Sequence, residues 1–253
     1  VTEAGVEFAD VSYAFGGREQ DRLLRGVSLR LEPGTTTALL GRSGSGKTTL
    51  MRMVNGLVMP SGGTVSVGGR ATSEWDLLEL RRGVGYVIQE AGLFPHWTVE
   101  RNVGLALELA RSNKDNGRSL RDDKPRVAEV LALVGLEAGL AARYPWQMSG
   151  GQRQRVGVAR ALAGDPGVLL MDEPFGALDP MTRAEMQTML RELLQRVRKT
   201  VLLVTHDLDE ALYLAQRVVF LERGEVVADL NSEAVMASEI EYVRKYVAAV
   251  HRA

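Results

Sequence analysis

Residues 41–49 run GRSGSGKTT, and no other stretch restricts the possible folds as much. Gly41, Gly46, Lys47 and Thr48 occupy the fixed positions of G-x-x-x-x-G-K-[ST]. Residues 35–40 (TTTALL) before the loop have the character of a strand, and residues 50–55 after it that of the body of a helix. A strand that feeds a glycine-rich loop opening a helix is an arrangement for cradling phosphate. Glycines let backbone N–H groups close on the anion with no Cβ in the way. The helix N-terminus adds a positive partial charge. Lys47 is then placed to reach the β- and γ-phosphates of a nucleotide, and the Thr48 hydroxyl to hold Mg²⁺. Arg42, Ser43, Gly44, Ser45 and Thr49 complete the loop. The alternative is a ligand-free glycine-rich turn, and the strand and helix on either side argue against it.

The remaining chain must build a sheet and helices around that loop. Its 253 residues suffice for one large domain or for a core with an appended subdomain. A hydrophobic fraction of 45% and a charged fraction of 25% are those of ordinary globular proteins. A formal net charge of −1 gives no basic excess, so no nucleic-acid partner is expected. With no cysteine, disulfides and thiolate metal sites are excluded. No apolar run approaches the ~18 residues of a membrane span, and the opening VTEAGVEFAD lacks the charged-then-apolar pattern of a leader. A cytosolic chain is expected, reaching a membrane only through a partner.

In chain order, residues 6–13 and 27–31 alternate as strands around a break at 15–17 and a turn at 32–34, which suggests a small antiparallel sheet. Further strands are expected over 64–67, 84–88, 168–171 and 201–205, and a hairpin over 218–228 turning at 222–225. Residues 77–82 have a helical pattern. From 90 to about 162 the pattern is mostly helical, with amphipathic stretches at 99–110 and 126–134 and a polar loop at 112–125. Met186, Met189, Leu190, Leu193, Leu194 and Val197 recur at helical spacing, a stripe that would cover a sheet. The tail, 232–253, is helical in pattern. The fold class expected is α/β: a P-loop NTPase (RecA-like) core over 1–89 and 163–230 with an N-terminal antiparallel β subdomain, an inserted helical subdomain over 90–162 and a helical tail over 231–253.

Two further stretches carry chemistry. The apolar strand 168–171 delivers Asp172 and Glu173 at its C-terminal end, where α/β sheets bind ligands. Asp172 would support Mg²⁺, and Glu173 would orient or deprotonate an attacking water. In Met148-Ser149-Gly150-Gly151-Gln152, Ser149 is a good N-cap for a helix through 153–163, and the glycines leave backbone N–H groups accessible.

With the phosphate loop, the acidic pair and MSGGQ on the page, the chain resembles the ATP-binding subunits of ABC transporters. MSGGQ is similar to the family signature LSGGQ, with Met148 in place of leucine. The resemblance runs through nearly the whole chain and implies ATP and Mg²⁺ as ligands. It implies that two copies sandwich two ATP molecules, each between one copy's phosphate loop and Ser149, Gly150, Gly151 and Gln152 of the other. Gln89 stands at the position of the glutamine that touches Mg²⁺ and the attacking water. His206 stands at that of the switch histidine on the γ-phosphate. Residues 176–179 (GALD) resemble the D-loop; Asp179, followed by Pro180, is equally an N-cap. An aromatic near the N-terminus would stack on adenine, with Phe15 preferred to Tyr13. His96 and His251 are read as surface residues.

The resemblance extends to partners and cargo. Leu93, Phe94 and Trp97, between Gly92 and the helix at 99, would form an exposed apolar patch that receives the membrane permease. The runs LRRGVGYVIQEAGLFPHWTVERNV and LLMDEPFGALDPMTR are similar to ATP-binding subunits of glycine betaine, carnitine and choline importers. A homodimer on the cytoplasmic face of the membrane is implied, energising uptake of a quaternary-ammonium solute delivered by a solute-binding protein. The chain ends at Ala253, whereas osmotically regulated members of that group continue into a paired regulatory module, so ionic-strength sensing is not expected of it. The alternatives are a lipid-trafficking or export cassette and a soluble ABC ATPase.

Overall fold

The computed structural model describes residues 4–17, 22–110 and 123–250. Ten strands and eight α-helices follow in order among them: β1 (Val6–Ala14), β2 (Arg22–Leu31), β3 (Thr36–Leu40), α1 (Lys47–Val54), β4 (Gly62–Val67), β5 (Arg70–Ala71), α2 (Leu77–Arg82), β6 (Val84–Val87), α3 (Val99–Ala110), α4 (Lys124–Leu133), α5 (Gly150–Ala163), β7 (Val168–Asp172), α6 (Pro180–Val197), β8 (Thr200–Val204), α7 (Leu208–Leu214), β9 (Arg217–Glu222), β10 (Glu225–Asn231) and α8 (Glu241–Val250). The chain divides into two compact units, one of residues 1–81 with 198–253 and one of residues 82–197.

The first unit holds an antiparallel sheet in the order β2-β1-β4-β5. Val6, Phe8, Val11, Leu24, Val27, Leu29, Leu31, Val65 and Val67 turn inward from it. The inward period of two breaks between Phe8 and Val11, where the β1–β2 register shifts. Asp10 absorbs the extra residue with φ 51° and donates its N–H to Ser28 Oγ at 3.0 Å, a bulge that restores Val11 to the core. The same unit holds β3 between parallel neighbours β8 and β9, with β10 antiparallel on β9. All five residues of β3 are buried, as a central parallel strand covered on both faces requires. The β9–β10 hairpin turns on Arg223 (φ 48°) and Gly224 (φ 82°), a two-residue turn that matches strand twist.

In the second unit β6 and β7 pair in parallel, Val84 opposite Val168 and Val87 opposite Met171. Helices α3, α4 and α5 pack on one another, and α5 lies against β6. Residues 90–162 fall inside this unit. On α6 the expected stripe is buried at Met186, Leu190 and Leu193. The loop expected at 112–125 lies outside the described residues as far as 122, and Lys124 and Pro125 open α4 instead, proline fitting a helix's first turn. His251 also lies outside the described residues. Among them, no helix is long and apolar enough to cross a membrane.

Candidate functional site

In the first unit β3 and β8 run side by side in parallel and deliver their C-terminal ends together. Thr205 donates its N–H to Leu39 O at 3.3 Å, so the loop after β8 starts beside the loop after β3. The structure thereby brings Gly41–Thr49 and His206 to one edge of the same sheet. His206 itself is exposed.

The phosphate loop has a fixed internal geometry. Arg42, Ser43 and Gly44 are exposed at its tip, and Ser45, Gly46 and Lys47 are buried. Lys47 is only 6% exposed, and its Nζ donates to Gly41 O at 2.7 Å and Arg42 O at 3.0 Å, closing the loop on itself. Gly46 caps α1 with φ 104°, a conformation that favours glycine, and its missing Cβ leaves room for Leu24 Cδ2 at 2.5 Å. Among the described residues no side chain caps this helix. A helix start directs its first N–H groups toward the loop that precedes it. Ser45 Oγ is buried without a hydrogen-bond partner among the described residues. A buried ammonium, a buried hydroxyl and a helix N-terminus on one loop fit a multiply charged oxyanion such as a nucleotide phosphate chain. Thr48 and Thr49, on the first turn of α1, are half-buried.

Phe15 lies in the turn after β1 and is 56% exposed, while Tyr13 meets it edge-on at 5.3 Å. Phe15 is therefore not a core residue, and its ring has a face available for stacking.

The second unit repeats the strand-end arrangement. Asp172 ends β7 and is buried, accepting a hydrogen bond from Tyr86 Oη of β6 at 3.2 Å. Glu173 follows with φ 44°, a left-handed conformation that costs a non-glycine residue about 1–3 kcal/mol. Gln89 follows β6, and the position a Cβ on Gly176 would take lies 3.6 Å from Gln89 Nε2 and 3.8 Å from Glu173 Oε2. The amide and the carboxylate face the same small space.

Behind Gln89 stand three consecutive left-handed residues, Glu90 (φ 60°), Ala91 (φ 61°) and Gly92 (φ 51°). The turn is clamped from α5: Arg160 Nη2 donates to Ala91 O at 2.7 Å and Nη1 to Gly92 O at 2.8 Å. Burial lowers the Arg160 pKa from its usual value. Ala91 packs where Gly157 leaves room. Arg160 carries no signal in the sequence beyond a basic residue on a helix, because its partners are backbone carbonyls.

Ser149 is the N-cap of α5, accepting from Gln152 N at 3.2 Å while Gln152 Oε1 accepts from Ser149 N at 3.0 Å, a complete capping box. Met148 is buried and Ser149 exposed, opening on a cleft of about 520 Å³ lined also by Gln152, Arg155, Thr182 and Glu185. Gly150 is half-buried and Gly151 buried. Asp179 is the N-cap of α6, with Oδ1 accepting from Thr182 N at 3.1 Å. Hydrogen bonds from the Thr182 side chain and backbone hold its carboxyl below the usual range.

The loop before α3 presents Phe94 exposed, with Leu93 and Trp97 half-buried. Phe94 and Trp97 stack at 4.4 Å, Arg101 lies over Trp97 at 5.0 Å, and exposed His96 meets both rings edge-on. Asn102, fully buried, ties the loop down. Its Oδ1 accepts from Phe94 N at 2.8 Å, and its Nδ2 donates to Phe94 O, Trp97 O and Thr98 O at 3.2, 3.2 and 3.0 Å.

Comparison with known proteins agrees with this geometry. Residues 24–176 match the family model described as ABC transporter. The chain is 44% identical over 242 residues, 95% of its length and 76% of the relative's, to the glycine betaine uptake system ATP-binding protein YehX of Escherichia coli. It is 41% identical to the glycine betaine/carnitine/choline transport ATP-binding protein OpuCA of Bacillus subtilis, over 89% of this chain and 58% of that one. It is 46% identical to the Fe(3+) ions import ATP-binding protein FbpC 2 of Rhodococcus jostii, over 87% of this chain and 60% of that one. The chain thus spans less than two thirds of the last two relatives. The dimeric structure of MJ0796, a bacterial ABC transporter cassette, superposes with a TM-score of 0.78 at 33% identity, covering 90% of this chain and 98% of that one. A post-hydrolysis state of the same cassette bound to ADP and Pi gives 0.77 over the same shares, again at 33% identity. The architecture is that of a P-loop NTPase, with parallel strands, an antiparallel sheet and a helical insert.

Proposed function

Because the chain belongs to the ABC transporter ATP-binding family, we propose that it hydrolyses ATP as the cassette of an importer for a quaternary-ammonium or betaine-type solute. The hydrolytic reading is carried by one observation, the convergence of Gln89 and strained Glu173 on the space beside Gly176. Glu173 orients the attacking water and takes its proton, and Gln89 helps to hold that water. Lys47 and the loop residues Gly41, Arg42, Ser43, Gly44, Ser45, Gly46, Thr48 and Thr49 bind the phosphates, His206 contacts the γ-phosphate, and Phe15 stacks on adenine. Thr48, Gln89 and Asp172 would hold Mg²⁺, whose charge, when bound, offsets that developing on the phosphates. Ser149, Gly150, Gly151 and Gln152 of one copy face the nucleotide of a second copy, and Asp179 adds to that seam while capping its helix.

The chain works as a homodimer at the cytoplasmic face of the membrane, and permease subunits dock on Leu93, Phe94 and Trp97. The relatives named for uptake and import favour an importer over a lipid-trafficking cassette or a soluble ATPase. Iron import is the second reading, since the FbpC 2 relative has the higher identity. A cassette that drives a permease never touches cargo, so identity in this chain reflects the shared ATPase more than the solute. The solute-binding partner decides. It should be recovered with the permease by affinity purification of the tagged chain from membranes and titrated calorimetrically with glycine betaine, choline, carnitine, ergothioneine and Fe(3+). Binding of a quaternary amine in an aromatic cage is expected. Binding of Fe(3+), a sugar or a lipid alone would reject the cargo and leave the ATPase reading intact.

A further inference from the structure

Helix α8 carries Tyr242 and Tyr246, one turn apart. Both rings meet Phe220 of β9 edge-on, with centroids 6.2 and 5.6 Å away. Phe220 is fully buried, and Val243 of α8 is buried in the same cluster with Leu208 and Ala211 of α7. The two tyrosines differ at the hydroxyl. Tyr246 Oη donates to the main-chain carbonyl of His206 at 2.7 Å. Tyr242 Oη is buried without a hydrogen-bond partner among the described residues.

The His206 loop is fixed locally on both flanks. Thr205 Oγ1 donates to buried Glu210 Oε2 at 2.6 Å, and Asp207 N donates to Thr205 Oγ1 at 3.1 Å. Asp207 Oδ1 caps α7 by accepting from Asp209 N and Glu210 N. The His206 carbonyl, by contrast, is held from a helix forty residues away. Burial pushes the Tyr246 phenol up to about 12, so it keeps the proton it donates across the neutral range.

We propose that Tyr246 is a positioning residue for His206: α8, seated on α7 and β9, fixes the peptide plane after the histidine and so the direction in which its imidazole leaves the backbone. A planar peptide whose carbonyl is tied cannot turn without breaking that bond. Small displacements of a group aimed at a reacting phosphate have large effects on rate. The inference rests on the reading of His206 as the γ-phosphate contact.

The test compares Tyr246→Phe, Tyr242→Phe and His206→Ala in the full chain, by steady-state ATPase, binding of a fluorescent ATP analogue, and hydrogen exchange of the peptide spanning residues 205–208. Tyr246→Phe keeps the ring packing and should lower kcat about fivefold, the effect of one neutral hydrogen bond. Nucleotide affinity should be unchanged and exchange at 205–208 faster. Tyr242→Phe, which loses a hydroxyl with no partner, should match wild type. If His206→Ala is inactive while Tyr246→Phe equals Tyr242→Phe in both rate and exchange, the positioning role is overturned and the His206 reading survives. If His206→Ala hydrolyses ATP at the wild-type rate, that reading fails and Tyr246 has nothing to position. If both tyrosine variants slow hydrolysis equally, the loss does not come from the bond to the His206 carbonyl, and the proposal is wrong.

Discussion

Glu173 is held in a left-handed conformation at the end of β7, with its carboxylate facing the same small space as the Gln89 amide. Glu173→Gln preserves shape and hydrogen bonding and removes the charge that orients or deprotonates water. Hydrolysis should fall at least about 10²-fold with ATP affinity retained. Phosphate-release assays with the purified chain check this, and near-normal turnover would contradict the role. At this scale the sequence was informative wherever chemistry follows a motif. The place of Lys47 and Thr48 at a helix start and of Asp172 and Glu173 at a strand end is legible from spacing and strand context, because a phosphate cradle needs glycines and a helix start in that order. Arg160, Asn102 and Tyr246 were not, because each acts on backbone carbonyls, and a carbonyl has no letter in the sequence. Asp179 showed its capping role through the proline that follows it, and Thr182 realises that role.

Among elements, the strands were visible because their burial follows period two or a continuous apolar run. Helix α1 starts at Lys47, three residues before its apolar pattern, since its first turn is polar and glycine-capped. Helix α7 escaped notice, being only seven residues long, although Asp207 as N-cap with Asp209 and Glu210 in the first turn signals a helix start. Strand β2 begins five residues before the clear alternation at 27, where Gly26 interrupts it. The loop before α3 owes its shape to Asn102, which fastens four main-chain groups from a buried position. Asn102→Ala should cost about 2–4 kcal/mol by leaving those groups unpaired. Urea unfolding should report the loss, and limited proteolysis should find new cleavage within residues 93–98. Unchanged stability and protease resistance would show that the loop holds itself.

For the whole molecule, the exposed Ser149 cap is informative because a capping box satisfies the helix locally, yet the flanking glycines leave its face open. Ser149→Arg should leave nucleotide binding by the single chain intact and abolish ATP-dependent dimerisation. Light scattering with ATP in the Glu173→Gln background measures this. A dimer of undiminished affinity would move the seam elsewhere. The permease and the cargo stay beyond this chain's sequence for a physical reason: the surfaces that complement them belong to other polypeptides.

The close packing of Ala91 on Gly157 has a consequence for how this chain can change over generations. A Cβ at 157 would stand 3.1 Å from that of Ala91, and Ala91 already occupies a conformation that glycine prefers. The same point lies 3.2 Å from Ala91 Cα, so glycine at 91 would relieve only part of the crowding. Lineages that carry alanine at 157 should therefore also show the backbone of the 90–92 turn displaced by a few tenths of an ångström.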